Sequence, residues 1–411
     1  MEKVFITGRG LITPLGNGLA ANEAALRSGK SGIVFSPDYQ EHRLDSTVAG
    51  IPDQNPEVAF LDRKTRRFCP PAAVMSVAAA AEAFAEAGIP LEEVRNYNLA
   101  LVGGQASSNC QEIHTLAQAY IDRNFSLRAV SPFSVPRIMP SSAISILSLL
   151  LGITGESFDI SAACATSALS VIQAARLIRS GEYDMVLVGG AEQIDWTTAL
   201  GFCACRALAT KYNETPERAS RPFSASRDGF VLAAGAAYMV LESERSVRKR
   251  GIKPVCEISG FAGNSSATDM VVPNAASSAG VMAKAIANAG LTFEDIDYVN
   301  THGTATAVGD KVEIEAIRSL AGSGKTPAIN STKSQTGHMV GATGAAEIIF
   351  SSMMVEKGFI SPSINCEDLD PEFADVDIVR EYRECPVKHA ISNSFAFGGS
   401  NACVVISRCE K

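Results

Sequence analysis

An α/β fold of stacked sheets and helices is the prediction from this 411-residue sequence, and three observations carry it. Short β-branched runs alternate with alanine-rich helical stretches along the whole chain. The runs are almost continuously apolar, as strands covered on both faces are. Past the middle of the chain the same alternation starts again, which points to an internal duplication.

The elements follow in order. VFITG at 4–8 reads as a strand, Pro71–Ala87 as a helix and NLALVGG at 98–104 as a strand. Next come a helix over Ser141–Leu151, a strand over Ser157–Ile160, a helix ending at Ser180 and the strand DMVLVGG at 184–190. In the second part, strands are expected near Val255–Gly260, Ile296–Thr301, Ala328–Asn330 and His389–Ser392, with Ala402–Ser407 closing the chain. Helices are expected over Ser278–Ala289, Lys311–Leu320 and Gly341–Lys357. The charged ESERSVRKRG segment divides the chain into halves 1–250 and 251–411.

Composition narrows the function classes. Hydrophobic residues make up 46% and charged residues 19%, enough for a large core and against disorder. The uncharged stretch Ile138–Gly155 is interrupted by Pro140 and serines, so no membrane span is expected. The opening MEKVFITGRG lacks a signal-peptide layout, and a cytoplasmic protein is the expectation. Ten scattered cysteines without a CxxC pair read as reduced thiols, and the five histidines do not join them at zinc spacing. A formal charge of −8 argues against nucleic acid as a partner, while leaving room for a local basic patch.

Cys164 stands out by position. Phe158–Ile160 suit a buried strand, and Ala162–Ala165 form a crowded small-residue turn. Leu169, Ile172, Ala175, Leu177 and Ile178 then recur at helical spacing. The thiol is thus at a helix entrance, where amides and the helix dipole favour thiolate. Ser161 and Ser167 are rival nucleophiles, although no G-x-S-x-G elbow surrounds them. By default a cysteine is an inert core residue, and context outside this segment has to decide.

That context comes from two further turns. His302 lies in THGTATAVGD after the Ile296–Thr301 strand, and Lys333 and His338 lie in KSQTGHMVGATGAAE after PAINST. Both turns leave a core strand, where open α/β sheets assemble their sites. The closing SNSFAFGGSNACVVIS adds Phe395, Phe397, Gly398 and Gly399. Here the aromatics are core by default, or a gate over a pocket.

Together the segments ACATSA, GGAE (189–192), TKYNETPERASRPFSASRDGFV (210–231), NTHGTAT, STKSQTGH and SNSFAFGGSN resemble the elongating β-ketoacyl-acyl carrier protein synthases, types I and II. The order and spacing hold over essentially the whole chain, and TKYNETPE leans towards type I. The resemblance implies a thiolase-like five-layer αβαβα fold with two similar halves, forming a homodimer. It implies decarboxylative condensation of malonyl-carrier protein with an acyl chain held as a thioester on Cys164, in fatty acid elongation. His302 and His338 would serve decarboxylation and condensation, and Lys333 would support them electrostatically and by hydrogen bonding. Backbone N–H groups of Cys164 and Phe397 would form an oxyanion hole, Phe397 also being the gate.

Thr304, Thr306, Phe395 and Gly398 are the implied substrate contacts, and Glu313 and Glu347 the supporting acids. Asn300, Glu347 and Asn393 fall near a monovalent cation in some members. No cofactor is required, since phosphopantetheine arrives on acyl carrier protein. Lys64, Arg67 and Arg128 are the implied contacts to that acidic partner. Three departures from the family pattern bear on the pocket or gate: Ala396 for glycine, Ala307 for proline and Gln335 for methionine. They motivate an alternative, a specialised synthase of polyene or polyketide chains. A non-catalytic subunit resembling a chain-length factor is disfavoured because Cys164, His302, Lys333 and His338 are all present. A thiolase would need a second cysteine in a glycine-flanked motif, which neither Cys385 nor Cys403 provides. Initiating, type III synthases pair cysteine with histidine and asparagine, unlike KSQTGH.

Overall fold

The computed structural model describes residues 2–53, 55–107 and 109–409. Ten strands run in one path: β1 Val4–Thr13, β2 Leu99–Gly104, β3 Ser157–Ile160, β4 Met185–Glu192, β5 Gly235–Ser243, β6 Cys256–Ser265, β7 Tyr298–Asn300, β8 Ala328–Asn330, β9 His389–Phe395 and β10 Ser400–Arg408. Their spatial order is β8-β7-β9-β10-β6-β1-β5-β4-β2-β3, with the two-residue strand Gly16–Asn17 added beside β1.

That order contains one pattern twice. Counting strands within each half, both read 3-2-4-5-1. In each half the second, third and fourth strands pair in parallel, and the fifth is antiparallel to both its neighbours, the fourth and the first. Among the described residues, the half-sheets pair where Phe5 and Ile6 face Glu257 and Cys256. Beyond that edge they diverge, and two helices fill the space between them.

Six helices complete the layers: α1 Pro71–Glu86, α2 Ser142–Leu151, α3 Thr166–Arg179, α4 Ala275–Asn288, α5 Ala307–Ala321 and α6 Thr343–Lys357. Helices α1 and α2 cover the outer face of the first half-sheet, while α4 covers that of the second with α5 packed on it. Helices α3 and α6 touch strands of both halves and each other. The result is α-β-α-β-α, the five layers expected.

Burial explains which elements the sequence displays. Every residue of α6 from Thr343 to Val355 is buried, so apart from Glu347 the stretch is apolar or small all round and carries no amphipathic stripe. Strand β5 is also wholly buried, yet its alanines and glycine give no β-branched signal, and it went unanticipated. Strands β1, β6 and β9 run several residues beyond their expected ends. A short helix, Glu244–Arg250, capped by the Ser243 side chain, joins the halves. No helix among the described residues is long and apolar enough to cross a membrane.

Candidate active site

The duplicated topology brings the singled-out residues together. Cys164 follows β3, the third strand of its half, and leads into α3. Lys333 and His338 follow β8, the third strand of the other half, and lead into α6. They therefore occupy equivalent turns at the two inner helices. His302 follows β7, and Phe395–Phe397 lie at and just beyond the end of β9, so all four segments sit at C-terminal ends of parallel strands.

The thiol turn is held by local hydrogen bonding and close packing. Ala163 takes φ 46°, a left-handed conformation that costs a non-glycine residue about 1–3 kcal/mol. Ala162 N–H donates to Thr166 Oγ1 at 2.8 Å, fixing the entry into α3. Gly190 of the GGAE segment lies so close that a Cβ there would come within 2.8 Å of Ser167 Cβ. The Ser167 hydroxyl is buried and accepts from Ala345 N–H at 2.9 Å, tying the start of α3 to the start of α6. Ser167 is thus a strut and not a rival nucleophile.

Cys164, His302 and His338 converge: the sulfur and one ring nitrogen of each histidine lie within 4.8 Å of one another. The imidazole centroids are 5.3 Å apart at 84°. His338 spends Nδ1 on Thr343 Oγ1 at 3.0 Å, leaving Nε2 buried and unpartnered. His302 is positioned through its backbone, because Glu313 accepts from His302 N–H and Gly303 N–H, both at 2.9 Å. Its Nδ1 is also buried without a partner. Lys333, 1% exposed, donates to both oxygens of Glu347 at 2.8 and 2.9 Å. Its hydrogen bonds go to Glu347, so the expected hydrogen bonding from Lys333 to the histidines is replaced by an action through charge.

Electrostatics follow from burial. Desolvation, the Lys333 charge and, for His302, the other imidazole hold both histidines well below the usual value, so both are neutral. Desolvation lifts the Cys164 thiol to about 11, opposed by Lys333 and by the N–H groups of Phe397 and Cys164 itself. The helix entrance favours thiolate, as its N–H groups do here, but loss of solvation outweighs that preference. Burial raises Glu313 to about 7, against its N–H donors and Lys333. Burial also raises Glu347, with Lys333 pulling it back.

A cavity of about 270 Å³ surrounds the three groups. Thr304 and Thr306 line it, their hydroxyls 3.1 Å apart, as do Phe395 and Phe397. Phe397 is 38% exposed at the mouth. Gly398 does not line the cavity. It takes φ 81° and donates its N–H to Met270 O at 2.8 Å, tying two mouth loops together, while Gly399 supplies the wall. Of the three departures, only Ala396 lines the cavity. Gln335 is buried on Ser361 Oγ and Pro362 O, and Ala307 is exposed at the start of α5.

The expected cation contacts do not converge. Asn300 pairs with Ser392 across the parallel ladder, so Asn393, one residue on, points to the opposite face. Asn300 joins Thr332 and through it Glu347, whereas Asn393 donates to Glu313. Each keeps a buried, unpartnered Oδ1, but on different sides of the sheet, and the Lys333 ammonium holds the Glu347 carboxylate. These side chains do not fit one cation. Lys64, Arg67 and Arg128 are exposed, the first two at a short helix Arg63–Arg66 capped by Asp62, with Arg67 5.9 Å over the Phe133 ring.

Some contributors were not anticipated. Phe202, Phe230 and Val340 form apolar wall, and Met270 and Val272 the rim. Glu192, wholly buried, accepts from Ala106 N–H at 3.0 Å, Gly341 N–H at 3.1 Å and both Ser107 donors, bracing two loops behind the thiol. Its signal was the GGAE motif, read only as a match.

Known proteins are similar throughout. Residues 1–246 match the family model described as Beta-ketoacyl synthase, N-terminal domain, and residues 255–367 match Beta-ketoacyl synthase, C-terminal domain. The 3-oxoacyl-[acyl-carrier-protein] synthase 1 of Haemophilus influenzae is 40% identical, covering 99% of both chains. That of Escherichia coli is 38% identical over 100% of both. A crystal structure of a β-ketoacyl synthase from Burkholderia phymatum superposes with a TM-score of 0.94 at 31% identity, covering 100% of both chains.

Proposed function

Since the chain belongs to the β-ketoacyl synthase family, as a 3-oxoacyl-[acyl-carrier-protein] synthase of fatty acid elongation, we propose that Cys164 carries the growing acyl chain and the two histidines act on malonyl. The observation that carries this assignment is the convergence of one thiol and two neutral imidazoles in one apolar cavity. In the first stage the Cys164 sulfur attacks the carrier-bound acyl thioester. The acyl–Cys164 thioester forms, and the carrier leaves as a thiol with the proton. Splitting transfer from condensation lowers each barrier.

In the second stage malonyl-carrier protein loses carbon dioxide, and the resulting carbanion attacks the acyl–Cys164 carbonyl. The 3-oxoacyl-carrier protein leaves, and Cys164 takes a proton. Neutral histidines suit this stage, because donors aimed at a developing oxyanion are worth about 3–4 kcal/mol each. Thr343 donating to Nδ1 of His338 would put the ring proton on Nε2, facing the cavity. Phe397 N–H and Cys164 N–H beside the sulfur are the donors for the first oxyanion. Thr304 and Thr306 take the pantetheine arm or malonyl group. No resident cofactor enters these steps.

Acyl carrier protein docks on Lys64, Arg67 and Arg128, exposed cations on a chain whose net charge is −8. The chain works as a cytoplasmic homodimer. Supporting this, β3 ends the strand path with a free edge, and Leu149 on the adjacent helix is 68% exposed, with Phe125 and Leu127 also exposed. Ala396 at the cavity wall keeps a specialised polyene or polyketide synthase as the second reading. Intact-mass measurement after incubation with mixed acyl-carrier proteins tests both. One acyl adduct, mapped to Cys164, is expected. An adduct elsewhere overturns the nucleophile assignment, and refusal of long saturated chains favours the second reading.

A further inference from the structure

The same three side chains that make the cavity reactive also make it a set of soft metal ligands. We propose that the resting chain binds one zinc ion through Cys164, His302 and His338, reversibly blocking the thiol. Sequence spacing gives no zinc motif, because the ligands come from three separated turns and meet only in the fold.

Geometry supplies the case. A tetrahedral zinc site has Zn–S near 2.3 Å and Zn–N near 2.0–2.1 Å, which places its ligand atoms about 3.3–3.6 Å apart. Here all three ligand atoms already lie within 4.8 Å of one another, so side-chain shifts of no more than about 1.5 Å close the site. Both imidazoles have nitrogen to give. His338 Nε2 is buried with no hydrogen bond, and no protein group bonds to the His302 ring among the described residues. For metal binding the ring proton moves to Nδ1, which then donates to Thr343 Oγ1 as the outer-shell contact that orients a metal-binding histidine and leaves the Nε2 lone pair for the ion.

Thiolate with two imidazoles selects zinc, cadmium and cobalt over magnesium or calcium. Three protein ligands leave the fourth position to water, and the cavity has room for it at about 270 Å³. The Glu347 carboxylate, bound to the Lys333 ammonium through both oxygens, offsets part of the positive charge that an incoming ion meets. Binding replaces the Cys164 S–H bond with an S–Zn bond and releases one proton to solvent, while each histidine donates a nitrogen lone pair. Chelation reverses it. The acyl donor and the ion compete for one sulfur, so zinc inhibition would be relieved by raising the acyl-carrier concentration.

The test uses metal-free full-length protein without any thioester, so its outcome is independent of the condensation chemistry. Titration with cadmium is expected to give a thiolate-to-cadmium charge-transfer band saturating at one ion per chain and displaced by zinc. Cys164→Ser should abolish the band. His302→Ala and His338→Ala should each weaken binding at least about tenfold, whereas His389→Ala, outside the site, should not. Zinc should raise the melting temperature of the native chain but not of Cys164→Ser, which separates loss of the site from loss of the fold. A band that survives Cys164→Ser, or affinity unchanged in both His302→Ala and His338→Ala, overturns the proposal.

Discussion

At the Cys164 sulfur, desolvation and the Lys333 charge pull in opposite directions, and desolvation is the larger. Removing the charge leaves desolvation and the Glu192 carboxylate opposed only by the N–H groups of Phe397 and Cys164. Lys333→Ala is therefore expected to move the alkylation pKa of Cys164 above about 11 and to slow iodoacetamide labelling at any fixed pH below it. A downward shift would mean that Lys333 does not act on the thiol. The histidines allow a second check. Their pKa values are held well below 6.5, so the neutral forms persist as pH falls through 6.5. The acid limb of the pH–rate profile for malonyl decarboxylation is expected well below that value. A limb centred at 6.5 would show imidazoles titrating as though in water.

Elements carry the precision that residues alone do not. The bond from Ala345 N–H to Ser167 Oγ joins the two inner helices at their N-termini, beside the two turns that bear the thiol and His338. Ser167→Ala strands a buried N–H, and the expected loss is about 1–3 kcal/mol in denaturant unfolding. A drop in kcat should accompany it, since the turns lose their common brace. Ser167 also illustrates what the sequence could tell. Strands β2, β3 and β8 and helices α1, α2 and α3 were legible because apolar runs and helical spacing report directly on burial. Cys164, His302, Lys333 and His338 were legible because each follows such a strand. Strand β5 and the all-round burial of α6 were not, since small residues in a core lack periodicity. Glu192 and Ser167 were hidden for another reason: their partners lie 85 to 178 residues away, and only the fold makes them neighbours.

For the whole molecule, the repeat of the strand order explains why one site draws on both halves. Each half offers its third-strand turn to the shared inner layer, one filled by the thiol and the other by Lys333 and His338. The outer edge matters too. Strand β3 has a free side next to exposed Leu149, and this strand delivers Cys164. Leu149→Asp is expected to shift the chain from dimer to monomer on size exclusion, with acyl transfer falling as the thiol turn loses support. An unchanged elution volume would place the interface elsewhere.

The shared inner layer has a consequence for heat. Helices α3 and α6 touch strands of both half-sheets, so neither half can loosen without uncovering the other's core. Partial melting that spares the fold while dissolving the site is thereby denied. Thermal inactivation and thermal unfolding, followed by residual turnover and by calorimetry on the same sample, should coincide within a few degrees. Inactivation far below the calorimetric transition would reveal a separately melting half.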